Sequence, residues 1–115
     1  MSIEEMHAAV RKFCAKREWD EYHAPKELAI GMTTESSELL QEFRFKDHDE
    51  QLELLADPDA RVDIEDELAD VLFFVLRFAD MYEVELDDAL ASKLEKNRAR
   101  YPANEYNDGN ETHDE

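Results

Sequence analysis

Apolar residues recur along this chain at helical spacing. Ile3, Met6, Val10, Phe13 and Cys14 share one side of a segment from about Ile3 to Arg17, the three-and-four step of a helix that buries one stripe. Ser2 stands three residues before Glu5, a capping-box pattern at the start of that helix. A second helix is predicted from Pro25, a favourable first position, to about Phe45, with Leu28, Met32, Leu39 and Phe43 as its stripe. A third is predicted from Asp57-Pro58, an N-cap followed by an N1 proline, to about Tyr82. Ile64, Val71, Phe74 and Phe78 mark its stripe. The run Val71-Leu72-Phe73-Phe74-Val75-Leu76 is apolar nearly all round, which makes this the central helix. A fourth runs from about Asp87 to Ala99, with Asp87 and Asp88 suited to a helix start and Pro102 ending it. The polar, acidic connection from Lys46 to Asp57 leaves two readings, a short helix around Gln51–Leu55 or a mobile loop. There is no internal repeat at a solenoid period. The product expected is an all-α domain over residues 1–102, an antiparallel four-helix bundle. An acidic tail over residues 103–115, almost without apolar side chains, is expected to be flexible.

Composition sharpens this picture. With 115 residues, 43% of them hydrophobic, the chain is long enough for one domain with a real core. Only two glycines and three prolines, with abundant Glu, favour helix over sheet. A formal net charge of −18 argues against general binding to nucleic acid polymers or to an anionic membrane, but not against a small anionic ligand. The single cysteine, Cys14, has no internal disulfide partner and reads as a small core residue beside Phe13. No apolar run reaches the ~20 residues of a membrane span. The N-terminal Met-Ser-Ile-Glu-Glu-Met-His lacks the regions of a signal peptide, so a cytoplasmic protein is expected.

Candidate chemistry lies where charge interrupts the stripes. Glu35 and Glu38 are three residues apart in the second helix, as are Glu67 and Asp70 in the third. At about 100° per residue, each pair shares a helix face. Glu35 falls in line with Leu28, Met32, Leu39 and Phe43, and Glu67 falls between Ile64 and Val71. Carboxylates gathered at inward positions repel and lose hydration; they persist if protonated, paired or bound to cations. An all-oxygen cluster suits a hard divalent ion, Mg²⁺ first, with Mn²⁺ as the alternative. Glu42, Asp63 and Asp66 could flank such a site. Glu4-Glu5 and Asp87-Asp88 read as solvated faces.

Two further features leave alternatives open. Lys93, Lys96, Arg98 and Arg100 fall within eight residues of an acidic chain. They complement a helix C-terminus, or else Lys93 and Asn97, one turn apart, face a phosphate together. The aromatics of Trp19-Asp20-Glu21-Tyr22-His23-Ala24-Pro25-Lys26 form a lid on the core or stack on a nucleobase. His23 reads as a hydrogen-bonded surface histidine or a catalytic group, and Phe45 as a core residue or a base contact.

Taken together, Trp19, Tyr22, His23-x-Pro25-Lys26, Glu35-x-x-Glu38, Glu67-x-x-Asp70, Lys93-x-x-x-Asn97 and Tyr101-Pro102 resemble the MazG-type nucleotide pyrophosphohydrolases. The likeness is to the short single-domain members, including those similar to dCTP pyrophosphatase, and covers about residues 3–102. It implies an all-α bundle assembled as a homodimer or a dimer of dimers. It also implies Mg²⁺-dependent cleavage of nucleoside triphosphates to monophosphate and pyrophosphate, a role in cleaning nucleotide pools. The family's metal ligands carry onto Glu35, Glu38, Glu67 and Asp70. Its phosphate contacts carry onto Lys93, Asn97 and Tyr101, and its base-side residues onto Trp19, His23 and Phe45. Glu38 and Lys93 are the candidate catalytic groups, one for the water and one for the leaving group. The sequence departs from the family in having Phe45 where dCTP-directed members tend to have Trp. It also has Thr-Glu-Ser-Ser-Glu where many have Gly-Glu-x-Gly-Glu. Both departures bear on base specificity more than on chemistry. A non-catalytic interaction module gives no reason for carboxylates in apolar stripes, and a regulatory nucleotide-binding module differs only in turnover. A di-iron bundle needs two Glu-x-x-His motifs. This chain has one, Glu4-x-x-His7, and neither inner pair carries a histidine.

Overall fold

A computed structural model describes residues 1–103 of the chain, and the predicted tail lies outside these residues except for its first position. The described residues form five α-helices and no strand: α1 (Ile3–Lys16), α2 (Pro25–Phe43), α3 (His48–Ala56), α4 (Pro58–Met81) and α5 (Leu86–Arg100). A single 3₁₀ turn, Asp20–Tyr22, joins α1 to α2. The chain divides into two compact units, Met1–Glu83 and Val84 onward.

Local chemistry sets the helix ends. Ser2 and Glu5 form the expected capping box, with the Glu5 N–H donating to Ser2 Oγ at 3.1 Å and the Ser2 N–H to Glu5 Oε1 at 2.6 Å. Pro25 and Pro58 each open a helix, and Asp57 accepts from the Asp59 N–H at 3.3 Å. The acidic connector holds a nine-residue helix, α3, longer than Gln51–Leu55. Asp47 and Glu50 make a second capping box that starts it three residues earlier than its apolar positions suggest. Glu18, Phe45 and Glu83 adopt left-handed backbone just after α1, α2 and α4. Each therefore takes up a conformation that turns the chain out of a helix.

In the first unit, α4 packs against α1, α2 and α3. Cys14, Leu28, Ile64, Leu76 and Ala79 are buried at its core. Met32, Leu39, Phe43, Val71, Phe74 and Phe78 are half-buried, so the predicted stripes do face inward. A Cβ at Gly31 would stand 2.5 Å from the Phe74 ring, so α2 and α4 meet there at a distance that only glycine permits. Gly31 lies opposite Phe74, Glu35 opposite Asp70 and Glu38 opposite Glu67. Positions rising along α2 meet positions falling along α4, which makes the pair antiparallel. In the second unit, Asp87 and Asp88 occupy the first turn of α5, and the Tyr101 N–H closes the helix on the Asn97 carbonyl at 2.7 Å.

Candidate metal centre

The antiparallel pairing of α2 and α4 brings the two carboxylate pairs face to face. One carboxylate oxygen from each of Glu35, Glu38 and Glu67 lies within 4.8 Å of the others. Asp70 stands against Glu35 and adds a fourth charge. Glu35 and Glu67 are half-buried, whereas Glu38 and Asp70 are exposed. The site is thus walled on its helix-facing side and open on the other.

Its electrostatics disfavour four unscreened negative charges. Glu35 Oε1 and Glu67 Oε1 are buried without a hydrogen-bond partner. Buried acceptors are nearly always satisfied, and two such oxygens in one acidic cluster call for a proton or a cation. Burial, followed by the charges of Glu38 and Asp70, raises the Glu35 pKa. Glu67 is pushed up to about 6 by burial first, then by Glu38, Glu35 and Asp70. Among the described residues, the ion pairs found for Arg11, Arg61 and Arg77 go to Asp80, Glu65 and Asp20 and not to any of the four. The donor set is all oxygen, anionic and convergent, which suits a hard divalent cation. Among the described residues Glu42, Asp63 and Asp66 do not join the cluster.

The aromatic segment forms a second constellation in the same unit. Trp19 precedes the 3₁₀ turn, with its ring edge-on to Phe13 at 5.7 Å and to His23 at 5.8 Å. Phe13 in turn meets Phe73 of α4 at 6.1 Å. His23 Nδ1 accepts a hydrogen bond from Arg77 Nε at 2.8 Å. Phe45 is 91% exposed at φ 65°, with the Arg44 guanidinium 4.6 Å from its ring centroid. It lines a concave surface with Lys46, Glu50, Glu53, Leu54 and Asp57. Lys93, Asn97 and Tyr101 belong to the second unit, where Lys93 and Asn97 are one turn apart on α5 and Tyr101 caps it.

Arg77 was not anticipated. It sits fully buried directly after the apolar run of α4 and pairs with Asp20 and Asp80; Asp80 also takes Arg11 at 2.6 Å. A signal existed in the sequence, since an arginine inside an apolar helix with an aspartate three residues on is rarely left unpaired.

Known proteins resemble the chain in both sequence and fold. The model of the MazG-like family matches residues 30–115, which include both carboxylate pairs and the Lys93/Asn97 helix. The chain belongs to the MazG-like family. Over 101 residues it is 32% identical to dCTP pyrophosphatase 1 of Mus musculus, covering 88% of this chain and 59% of that protein. Over 102 residues it is 32% identical to the Homo sapiens dCTP pyrophosphatase 1, covering 89% and 60% respectively. This MazG-like chain therefore spans about three-fifths of the length of those relatives. A pyrophosphatase from Archaeoglobus fulgidus DSM 4304 superposes with a TM-score of 0.80 at 37% identity, covering 86% of this chain and 91% of that one. The all-helical architecture is that of the MazG-like proteins. No described helix is long and apolar enough to cross a membrane.

Proposed function

We propose that this chain is a divalent-metal-dependent nucleoside triphosphate pyrophosphohydrolase that converts a (d)NTP and water to (d)NMP and pyrophosphate. The observation that carries this reading is the convergence of Glu35, Glu38 and Glu67 within 4.8 Å, with two buried oxygens left without partners. Family membership and relatives named as pyrophosphatases support it.

Glu35, Glu38, Glu67 and Asp70 would hold the cation, Mg²⁺ by preference and Mn²⁺ as the alternative. When bound, a divalent ion lowers the pKa of water and neutralises phosphate oxygens. Glu38, the exposed member of the three, takes the proton from the attacking water, a role its exposure supports. The water oxygen attacks the α-phosphorus in line, the bond from the α-phosphorus to the α–β bridging oxygen breaks, and pyrophosphate leaves. Lys93 neutralises charge on the leaving group, while Asn97 and Tyr101 contact phosphate oxygens. Trp19, His23 and Phe45 take the base side. A cytoplasmic role in clearing unwanted nucleotides completes the reading. So does self-association as a homodimer or homotetramer, which large exposed apolar side chains such as Ile30, Leu40, Leu68 and Leu72 favour.

The test is release of monophosphate and pyrophosphate from a panel of common and modified dNTPs with Mg²⁺. Glu38→Gln keeps the shape and removes the base, so turnover is expected to fall roughly 10²-fold or more. Wild-type turnover in that variant removes Glu38 from the reaction. No pyrophosphate from any nucleotide leaves a binding module in place of an enzyme.

A further inference from the structure

Arg77 is the buried charge that the carboxylate chemistry does not use. It is 1% exposed and lies among the apolar residues of α4. A guanidinium removed from water persists only when its N–H groups are paired. Arg77 is paired on three sides: with Asp20 of the 3₁₀ turn, with Asp80 at 3.4 Å, and through Nε with His23 Nδ1 at 2.8 Å. The third partner is a ring nitrogen, and that restricts its chemistry. Arginine offers donors only and does not give up its proton in proteins. His23 Nδ1 must therefore be the lone-pair nitrogen, which leaves the ring neutral with its hydrogen on Nε2. In an imidazolium both nitrogens would be donors, and the Arg77 contact would set two donors against each other.

The surroundings hold this arrangement in place. The Tyr82 hydroxyl donates to the His23 carbonyl oxygen at 2.6 Å, which pins the backbone. The Trp19 ring stands edge-on 5.8 Å from the imidazole. Burial first, and then the positive charge of Arg77, lower the His23 pKa from 6.5, with only Asp20 opposing. Asp80 and Cys14 complete the groups around Arg77. His23 Nε2 has no hydrogen-bond partner among the described residues.

We infer that Arg77 is a positioning residue that fixes His23 as a neutral hydrogen-bond donor through Nε2. The free edge of His23 then accepts a ligand that presents an acceptor, such as a nucleobase carbonyl or an unprotonated ring nitrogen, and rejects one that presents a donor. The ligand selection rests on the proposed function, whereas the tautomer does not.

The test reads the tautomer on the intact native chain, by long-range ¹⁵N–¹H correlation of labelled histidine from about pH 6 to 8. Expected is an unprotonated Nδ1 and a protonated Nε2 for His23 throughout. An Nδ1–H tautomer, a mixture of the two, or an imidazolium at neutral pH overturns the inference. Arg77→Lys keeps the charge and loses the planar fork, and Asp20→Asn loosens the exposed partner without touching the core. In folded forms of either variant the tautomers are expected to mix. KM for nucleotides is expected to rise on the order of tenfold, the worth of one hydrogen bond, with kcat within about threefold. Discrimination between triphosphates whose bases differ only in acceptor and donor is expected to narrow. Folded variants that keep the wild-type tautomer and KM overturn the role of Arg77. A fixed tautomer in a protein that hydrolyses no nucleotide overturns the proposed function and the ligand selection together. Mixed tautomers in an active wild-type enzyme overturn the inference alone.

Discussion

Glu35 and Glu67 each turn an oxygen into a space that holds no donor, and their response to pH follows from that. The Glu67 carboxyl titrates at about 6, above its ordinary 4.5, because burial and three neighbouring carboxylates disfavour its charge. A carboxyl whose pKa is raised by folding binds its proton more tightly in the folded state than in the unfolded state. Its contribution is full below the unfolded value and is lost as pH rises through the folded one. Metal-free protein is therefore expected to lose stability between pH 4.5 and about 6, and Glu67→Gln to flatten that decline. With saturating Mg²⁺ the direction reverses, because protons and cation compete for the same oxygens. Thermal melts with chelator and with Mg²⁺ across this window check both signs. A melting temperature unmoved by metal at neutral pH contradicts the competition.

At the scale of elements, the α2–α4 pair does the positioning. Gly31 allows the approach that brings Glu35 to Asp70 and Glu38 to Glu67. Gly31→Ala would gain about 1 kcal/mol of helix propensity and lose roughly 1–3 kcal/mol to overpacking against Phe74. Net destabilisation in a denaturant melt is expected, with recovery when Phe74→Leu makes room. A neutral single substitution would show that the helices do not need glycine there. Much of this layer was legible in the sequence. Pro25, Asp57-Pro58 and the Ser2–Glu5 box mark helix starts by local chemistry, and Glu35 and Glu67 show themselves by breaking apolar stripes. The full length of α3 was not legible, because its start rests on Asp47 and Glu50 within a run of acids where a capping carboxylate resembles its neighbours. The Arg77 network was not legible either. Its partners Asp20 and His23 lie 57 and 54 positions away, and stripe periodicity carries no information about contacts at that range.

At the scale of the whole molecule, a net charge of −18 opposes compactness, and four of the acids gather between α2 and α4. A cation there would relieve repulsion and supply Lewis acidity from a single site. The proposed phosphate contacts were legible in two ways: Lys93 and Asn97 as a spacing on one helix, and both together with Tyr101 as a family likeness. Their α5 helix forms its own unit. Crystals grown with Mn²⁺ and measured for anomalous scattering test the metal site most directly. A peak is expected about 2–2.5 Å from oxygens of Glu35, Glu38 and Glu67. Mn²⁺ found only elsewhere, with these carboxylates turned into bulk water, would contradict it.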